Sequence, residues 1–274
     1  MAEPENRYGL AMDEVRHRAR ILFEACPLCE STSFGRLRDA SCQGHSLYDP
    51  SLPPMMRWMK CRQCDHVFTD GYFDAESNAV LMSKPDAALS NQVDPDAVRY
   101  AWARTVREVA RLAFPGSWLD VGVGSGALAR IAREWGYSIV GVDTRHDAVS
   151  SLQTHGIECR EIDFLDLGID ESFDIVSMFD VLEHLPRPRA AIAQAFSLLK
   201  EGGLLVVSTP NSESFSWHEA DANGANIYWS EIEHYHNFSR SRLLRLLDES
   251  GFDFVSYDVP ARWRMGMEVI ARRR

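Results

Sequence analysis

The sequence predicts an α/β protein, with a doubly wound parallel sheet behind a small module that carries two cysteine pairs. Three observations carry that expectation. From Ser117 onward, strand-like apolar runs alternate with helix-like amphipathic runs. One run, "LLVVSTP" (204–210), is continuously apolar, as a strand covered by helices on both faces must be. Ahead of them, Cys26-x-x-Cys29 and Cys61-x-x-Cys64 lie within about forty residues. A chain of 274 residues with 45% hydrophobic content can bury one large core and one small extra module.

Taken in order, "LAMDEVRHRARILFEA" (10–25) fits an amphipathic helix. With the cysteine pairs it makes residues 1–75 an N-terminal helix and four-cysteine metal-binding module. Residues 74–93 read as a polar connection with a short apolar interruption. Asp94-Pro95 then caps the run "AVRYAWARTVREVARLAF", which Pro115-Gly116 stops, so that residues 76–115 act as a helical linker or cap. The sheet domain occupies 116–274. "SWLDVGV", "SIVGVD", "IECREIDF", "FDIVSMFDVL" and "LLVVSTP" are its strands. "GALARIAREWG", "DAVSSLQTHG" and "RAAIAQAFSLLKEGG" are the helices between them. Ser239 starts a last helix ended by Gly251, and "DFVSYDV" and "MGMEVIA" finish the chain as strands. Residues 211–238 are long for a connection and rich in aromatics, which suits a lid over a bound molecule.

Lys and Arg number 29 against 40 Asp and Glu, a net charge of −11. Residues 1–70 hold nine basic and ten acidic residues, so the excess acid lies beyond them. With no basic stripe, nucleic acid is disfavoured as a partner. No run approaches ~18 apolar residues, so no membrane span is expected. The polar start "MAEPENRYGL" lacks an apolar signal region, and the expected location is the cytoplasm. There the six cysteines should be thiols or metal ligands rather than disulfides.

The stretch "WLDVGVGSGALARI" (118–131) places a glycine turn between a strand and a helix. Gly122, Gly124 and Ala127 fit a dinucleotide fingerprint. Gly122, Gly124 and Gly126 behind Asp120 fit S-adenosylmethionine (SAM) instead. A carboxylate at that strand end repels a pyrophosphate but favours a sulfonium and an ammonium. Asp143, 21 residues after Gly122, falls where ribose hydroxyls would lie, with Thr144 next to it at the cofactor. Asp163 ends the third strand, in reach of an adenine amino group.

The ordered set Asp-x-Gly-x-Gly-x-Gly, "GVD", "DF", "FDIVSMFDVLEHL" and "LLKEGGLLVVSTPN" resembles the class I SAM-dependent methyltransferases over about residues 95–274. It is most similar to the small-molecule group that includes ubiquinone-biosynthesis O-methyltransferases. The resemblance implies a seven-stranded Rossmann-like sheet with its last strand antiparallel. It implies cofactor contacts at Asp120, Gly122, Gly124, Gly126, Asp143 and Asp163, with Phe164 beside the adenine. Phe179 and Asp180 would face the methyl group. The rivals are a NAD-binding oxidoreductase, an RNA methyltransferase gripping RNA through its ribbon, and a non-catalytic scaffold.

Two CxxC knuckles complete a tetrahedral four-thiolate site with no open position, hence a structural one. Pro27 and "CDHVFTDGYF" resemble the zinc ribbon ahead of some class I methyltransferases. The implied ion is Zn2+, held by Cys26, Cys29, Cys61 and Cys64. In that group glycine commonly follows the second cysteine of each knuckle; here Glu30 and Asp65 stand there. The ribbon could clamp the substrate mouth, dock a partner or pair two copies in a homodimer.

The leaving sulfonium of SAM asks the protein mainly for alignment of the acceptor, and for a base when the acceptor is a hydroxyl. "DVLEHL" offers Asp180, Glu183 and His184. Matching residues of the ubiquinone-type enzymes are associated with a divalent metal; the alternative is that Glu183 and His184 stabilise the loop. The 211–238 segment offers His218, His234 and His236. His234 and His236 point the same way in an extended segment, so both face the pocket, and His234 is the favoured base. The expected activity is methyl transfer from SAM to a small-molecule acceptor, with a hydroxyl favoured, in natural-product, quinone or sugar metabolism. C-methylation of a sugar-like intermediate is the alternative.

Overall fold

The computed structural model describes residues 20–84, 94–168, 171–262 and 265–274. The N-terminal part contributes β1 (Arg20–Leu22), β2 (Phe34–Ser41), β3 (Met55–Cys61), β4 (Val67–Thr69), β5 (Gly71–Phe73) and helix α1 (Ala75–Met82). Helix α2 (Pro95–Ala110) follows, with Asp94 accepting the Asp96 N–H as its cap and Pro95 at its first position.

The large sheet has β6 (Ser117–Val121), β7 (Ser138–Asp143), β8 (Glu158–Glu161), β9 (Phe173–Phe179), β10 (Leu199–Pro210), β12 (Phe252–Asp258) and β13 (Gly266–Arg273). Its order is β12-β13-β10-β9-β6-β7-β8. The β6–β7, β7–β8, β6–β9 and β9–β10 pairs are parallel, and β13 runs antiparallel between β10 and β12. Helices α3 (Ala127–Glu134), α4 (His146–Thr154), α5 (Pro188–Leu198) and α7 (Arg240–Glu249) are interleaved with these strands. Neighbouring residues of one strand belong to opposite layers of core: Leu119 packs with Val176 and Leu205, and Trp118 with Ile175 and Val206. This two-sided burial is why the strands read as continuous apolar runs.

A second sheet has the order β11-β4-β3-β2. Its edge strand β11 (His236–Asn237) comes from the 211–238 segment and pairs antiparallel with β4, His236 opposite Phe68. The segment also holds helix α6 (Phe215–Ala222), capped by the Ser214 side chain. A third apolar cluster joins the two regions, with Met56, Trp58, Phe73 and Leu81 against Trp217 and Trp229. The Trp58 indole donates to the Trp229 carbonyl at 2.8 Å, and the two rings meet edge-on at 5.5 Å.

Two expectations need correction. Of the helix expected over 10–25, residues 10–19 lie outside the described residues, and 20–22 form β1, paired antiparallel with β5. The Arg20 guanidinium donates to the Gly71 carbonyl and sits over the Phe73 ring, so strand pairing outweighs the local helical pattern. Of the polar connection expected over 74–93, residues 75–82 form α1, and 85–93 lie outside the described residues. Asp74 caps α1 by accepting the Ser77 N–H at 2.8 Å, and Leu81 is buried in the third cluster. No helix among the described residues is long and apolar enough to cross a membrane.

Candidate functional site

A cavity of about 700 Å³ opens at the carboxyl ends of β6, β7 and β9. Strand order reverses between β6 and β9, which is where a doubly wound sheet receives its ligand. The volume falls within the ~300–1,000 Å³ of small-molecule sites.

The loop after β6 forms one wall. Gly122 has φ +68°, and a Cβ there would stand 2.5 Å from Val181 Cγ2. Its bare backbone, with that of Gly124, faces the cavity. Gly126 does not reach the cavity; it opens α3 at φ +68°, where a Cβ would meet Leu152 Cδ2 at 2.2 Å. Its role is close packing of α3 on α4. Asp143 lines the cavity while its two oxygens accept the Gly124 and Arg145 N–H groups at 3.1 and 3.0 Å. Thr144, Asp163, Phe164 and Phe179 also face the cavity, and Asp163 caps the turn 164–166 through the Leu165 N–H. Asp120 stands behind this wall at 3% exposure, accepting from Ser177 Oγ at 2.6 Å. Burial pushes its carboxyl up to about 7, against the opposing Ser177 bond, with the Asp143 charge adding to the rise.

The loop after β9 forms the floor. Asp180 adopts φ +54°, a conformation that Asp tolerates better than most residues. Its N–H donates to the Ser208 carbonyl, and Ser208 Oγ donates to its carboxylate at 3.2 Å. Glu183 lines the cavity at 0% exposure, and neither of its oxygens completes a hydrogen bond. Burial first, then the Asp180 charge, holds it well above the usual carboxylate range. His184 Nδ1 lies 3.2 Å from the Glu233 carbonyl, which can only accept. Nδ1 therefore carries the proton, and Nε2 keeps a lone pair.

His234 lines the cavity, buried, with its ring edge-on to His184 at 4.7 Å and stacked on Tyr228 at 5.9 Å. Burial, then the neighbouring His184, pushes it well below the ordinary histidine value. Glu183, His184 and His234 bring three potential ligand atoms within 4.8 Å of one another. His236 departs from expectation: it is fully buried away from the cavity. Its Nε2 donates to the Leu185 carbonyl and its Nδ1 accepts from His66 Nε2, both at 3.0 Å. The strand pairing of β11 with β4 turns it toward the module. His218, on α6, is exposed and does not line the cavity.

Residues 96–257 match the family described as "Methyltransferase domain". The chain belongs to that family. Among curated relatives, the ubiquinone biosynthesis O-methyltransferase of Idiomarina loihiensis is 29% identical over 150 residues, 50% of this chain and 62% of that protein. Its namesake in Xanthomonas campestris pv. campestris is 31% identical over 181 residues, 58% of this chain and 76% of that protein. Among solved structures, the magnesium protoporphyrin IX methyltransferase of Synechocystis PCC 6803 superposes with a TM-score of 0.53 at 20% identity, over 67% of this chain and 90% of that one. A SAM-dependent methyltransferase of Archaeoglobus fulgidus gives 0.53 at 18% identity, over 64% and 94%. At those identities the structures speak for the fold.

The methyltransferase's four-cysteine cluster is compact. Cys26 Sγ lies 3.7 Å from Cys64 Sγ, Cys29 Sγ lies 3.5 Å from Cys61 Sγ, and all four sulfurs fall within 4.8 Å. A tetrahedron with ~2.3 Å zinc–sulfur bonds has sulfurs about 3.8 Å apart, so the donor set fits. Each knuckle closes with an N–H to carbonyl bond, Glu30 to Cys26 and Asp65 to Cys61. Glu30 and Asp65 take φ of 60° and 59°, the conformation that glycine supplies at this place elsewhere.

The methyltransferase also has cavity residues that the sequence did not mark. His45, Asp74 and Asn78 come from the N-terminal part, and Glu231 and Glu233 from the 211–238 segment. His45 Nε2 and Glu231 Oε2 meet at 2.9 Å, while His45 Nδ1 accepts the Leu47 N–H. Asp74 carried a readable signal as the cap of α1. His45 carried none, because its partner lies 186 residues away.

Proposed function

We propose that this methyltransferase moves the methyl group of SAM to a hydroxyl of a small-molecule acceptor, and that Cys26, Cys29, Cys61 and Cys64 hold one structural Zn2+. The observation that carries the transfer is the His184–His234 pair opening into the cavity beside Phe179 and Asp180. When bound, SAM supplies a methyl group on a cationic sulfur that departs without further activation. Asp143 and Thr144 meet the ribose, Asp163 the adenine amino group, and Phe164 the adenine face. Gly122 and Gly124 offer bare backbone to the amino-acid end. Phe179 and Asp180 line the path to the acceptor. His184 Nε2, with its lone pair free of the Glu233 bond, takes the hydroxyl proton. His234, too weakly basic where it is buried to compete, holds the His184 ring edge-on. Tyr228 and Tyr235 of the 211–238 segment cover the site and exclude water. Four cysteines at a metal site, and none of the six in a disulfide, suit a reducing, cytoplasmic setting.

A second proposal rests on the spacing of Glu183, His184 and His234, which would also suit a divalent cation. EDTA treatment that leaves the cysteine-bound zinc in place separates the two. Unchanged turnover supports the histidine base alone.

The test is transfer from methyl-labelled SAM to catechols and phenols, with the methylated atom located by NMR. We expect methyl on oxygen, and His184→Ala slowing kcat by at least about 100-fold. Label on carbon or nitrogen, or a near-normal His184→Ala, contradicts the proposal.

A further inference from the structure

Behind the glycine wall, β6 and β9 share a buried donor chain. The Trp118 indole donates to Ser177 Oγ at 2.8 Å, and Ser177 Oγ donates to Asp120 Oδ1 at 2.6 Å. Trp118 and Ser177 have no exposure at all, and Asp120 has almost none. Strand register explains the chain. Ser177 pairs with Asp120 across the two parallel strands, and Trp118, two residues before Asp120, shares its face of β6. An indole N–H can only donate, so the single hydroxyl proton of Ser177 must go to an acceptor. Asp120 Oδ1 takes it; the other acceptor in reach, the Leu119 carbonyl, is 3.5 Å away. Oδ1 is thereby committed to accepting, which leaves Oδ2 to meet a proton or a cation. Asp120 lies just before Val121 and Gly122, which line the cavity. Burial raises its carboxyl, and the Ser177 bond is the largest influence the other way. The charged and titratable groups around it are Asp143 at the end of β7, Cys159 on β8 and Arg262 beyond β12. Arg262 is itself engaged by Glu268 of β13 at 3.2 Å.

We infer that Trp118 and Ser177 are positioning residues for the cofactor: their donor chain orients Asp120 so that Oδ2 serves the cationic amino-acid end of SAM, and it favours the anion that binds that end. A hydrogen bond donated to a carboxylate is charge-assisted, and the indole strengthens it by polarising the hydroxyl. A proton and the cofactor's cation then compete for one atom. Neither Trp118 nor Ser177 touches the cofactor; both act through Asp120. This inference rests on the methyltransferase proposal.

The test has two readouts on the full-length protein. Carboxyl-labelled aspartate reads the titration of Asp120 by carbon NMR without cofactor, with Asp120→Asn identifying its signal. Calorimetry reads S-adenosylhomocysteine affinity, variant against unsubstituted protein, at about pH 5, 7.5 and 9, so that the ligand's own titration cancels. Ser177→Ala should move the Asp120 midpoint up by about one pH unit, the size of a hydrogen bond to a charged group. It should weaken binding a few-fold near pH 7.5 and leave it close to normal at pH 5 and 9, where Asp120 carries the same charge in both proteins. Trp118→Phe keeps a ring against Tyr137 and loses only the N–H donor; it should move the midpoint the same way by a few tenths of a unit. A midpoint that does not rise in Ser177→Ala or in Trp118→Phe overturns the inference, as does a loss of affinity equal at all three pH values. Failure of S-adenosylhomocysteine to bind the unsubstituted protein counts against the methyltransferase proposal instead, and the NMR titration still reads the donor chain.

Discussion

The end of the cavity proposed for the cofactor is built from one continuous stretch, residues 117–164, whose lining residues follow the ends of parallel strands. The acceptor end is assembled from segments far apart in the chain, around residues 45–47, 72–82 and 227–235. Those segments meet because the 211–238 segment gives its strand β11 to the module's sheet and its tryptophans to the module's core. Tyr235 makes the join concrete: its N–H donates to the Glu183 carbonyl, its carbonyl accepts from the Thr69 N–H, and its hydroxyl accepts from the Phe73 N–H. The cofactor end is therefore a property of the sheet. The acceptor end depends on the module, and through it on the cysteine cluster.

The contrast can be broken from either side. Trp58 is fully buried between the module and Trp229. Trp58→Ala should cost about 3–5 kcal/mol of module stability, seen in a calorimetric unfolding scan. S-adenosylhomocysteine affinity should stay within about threefold. Gly122→Ala attacks the other end, combining a left-handed backbone with a 2.5 Å contact to Val181. It should weaken S-adenosylhomocysteine binding on the order of 100-fold while zinc stoichiometry is unchanged.

Smaller effects sharpen the picture. Burial raises Asp120 to about 7 in the cofactor-free protein. A raised folded value means that its contribution to stability is present at low pH and lost as pH rises from about 4 to about 7. Cationic SAM favours the charged carboxylate, so SAM affinity should climb a few-fold through pH 7, and Asp120→Asn should flatten both profiles. Smallest of all, Glu30→Gly should shift the melting temperature by no more than the equivalent of about 1 kcal/mol. Relief of the positive φ is offset by the extra freedom of glycine in the unfolded chain. Glu30→Val should be clearly worse.

Legibility followed the same divide. Strand–helix alternation, the glycine turn, Asp143 and the cysteine pairs are local patterns, and they foretold the sheet, the cavity wall that follows β6 and β7, and the sulfur cluster. Even Glu30 and Asp65, which lack the usual glycine, adopt the knuckle backbone. What the sequence did not show depends on distant pairing. Arg20–Leu22 becomes a strand only because β5 lies beside it. His236 turns from the cavity because His66, 170 residues away, takes its ring nitrogen. Alternation along an extended segment says which side chains share a face, but not which face meets the cavity.

The most direct test of this dependence is segment-resolved hydrogen exchange, with S-adenosylhomocysteine titration, on the protein before and after removal of the zinc proposed at the four cysteines. Exchange should rise sharply over 55–73 and 227–238, stay slow over 117–143, and leave the affinity for S-adenosylhomocysteine within about threefold. Unchanged exchange over 227–238, or loss of protection and affinity at 117–143 in step with the module, would contradict the account.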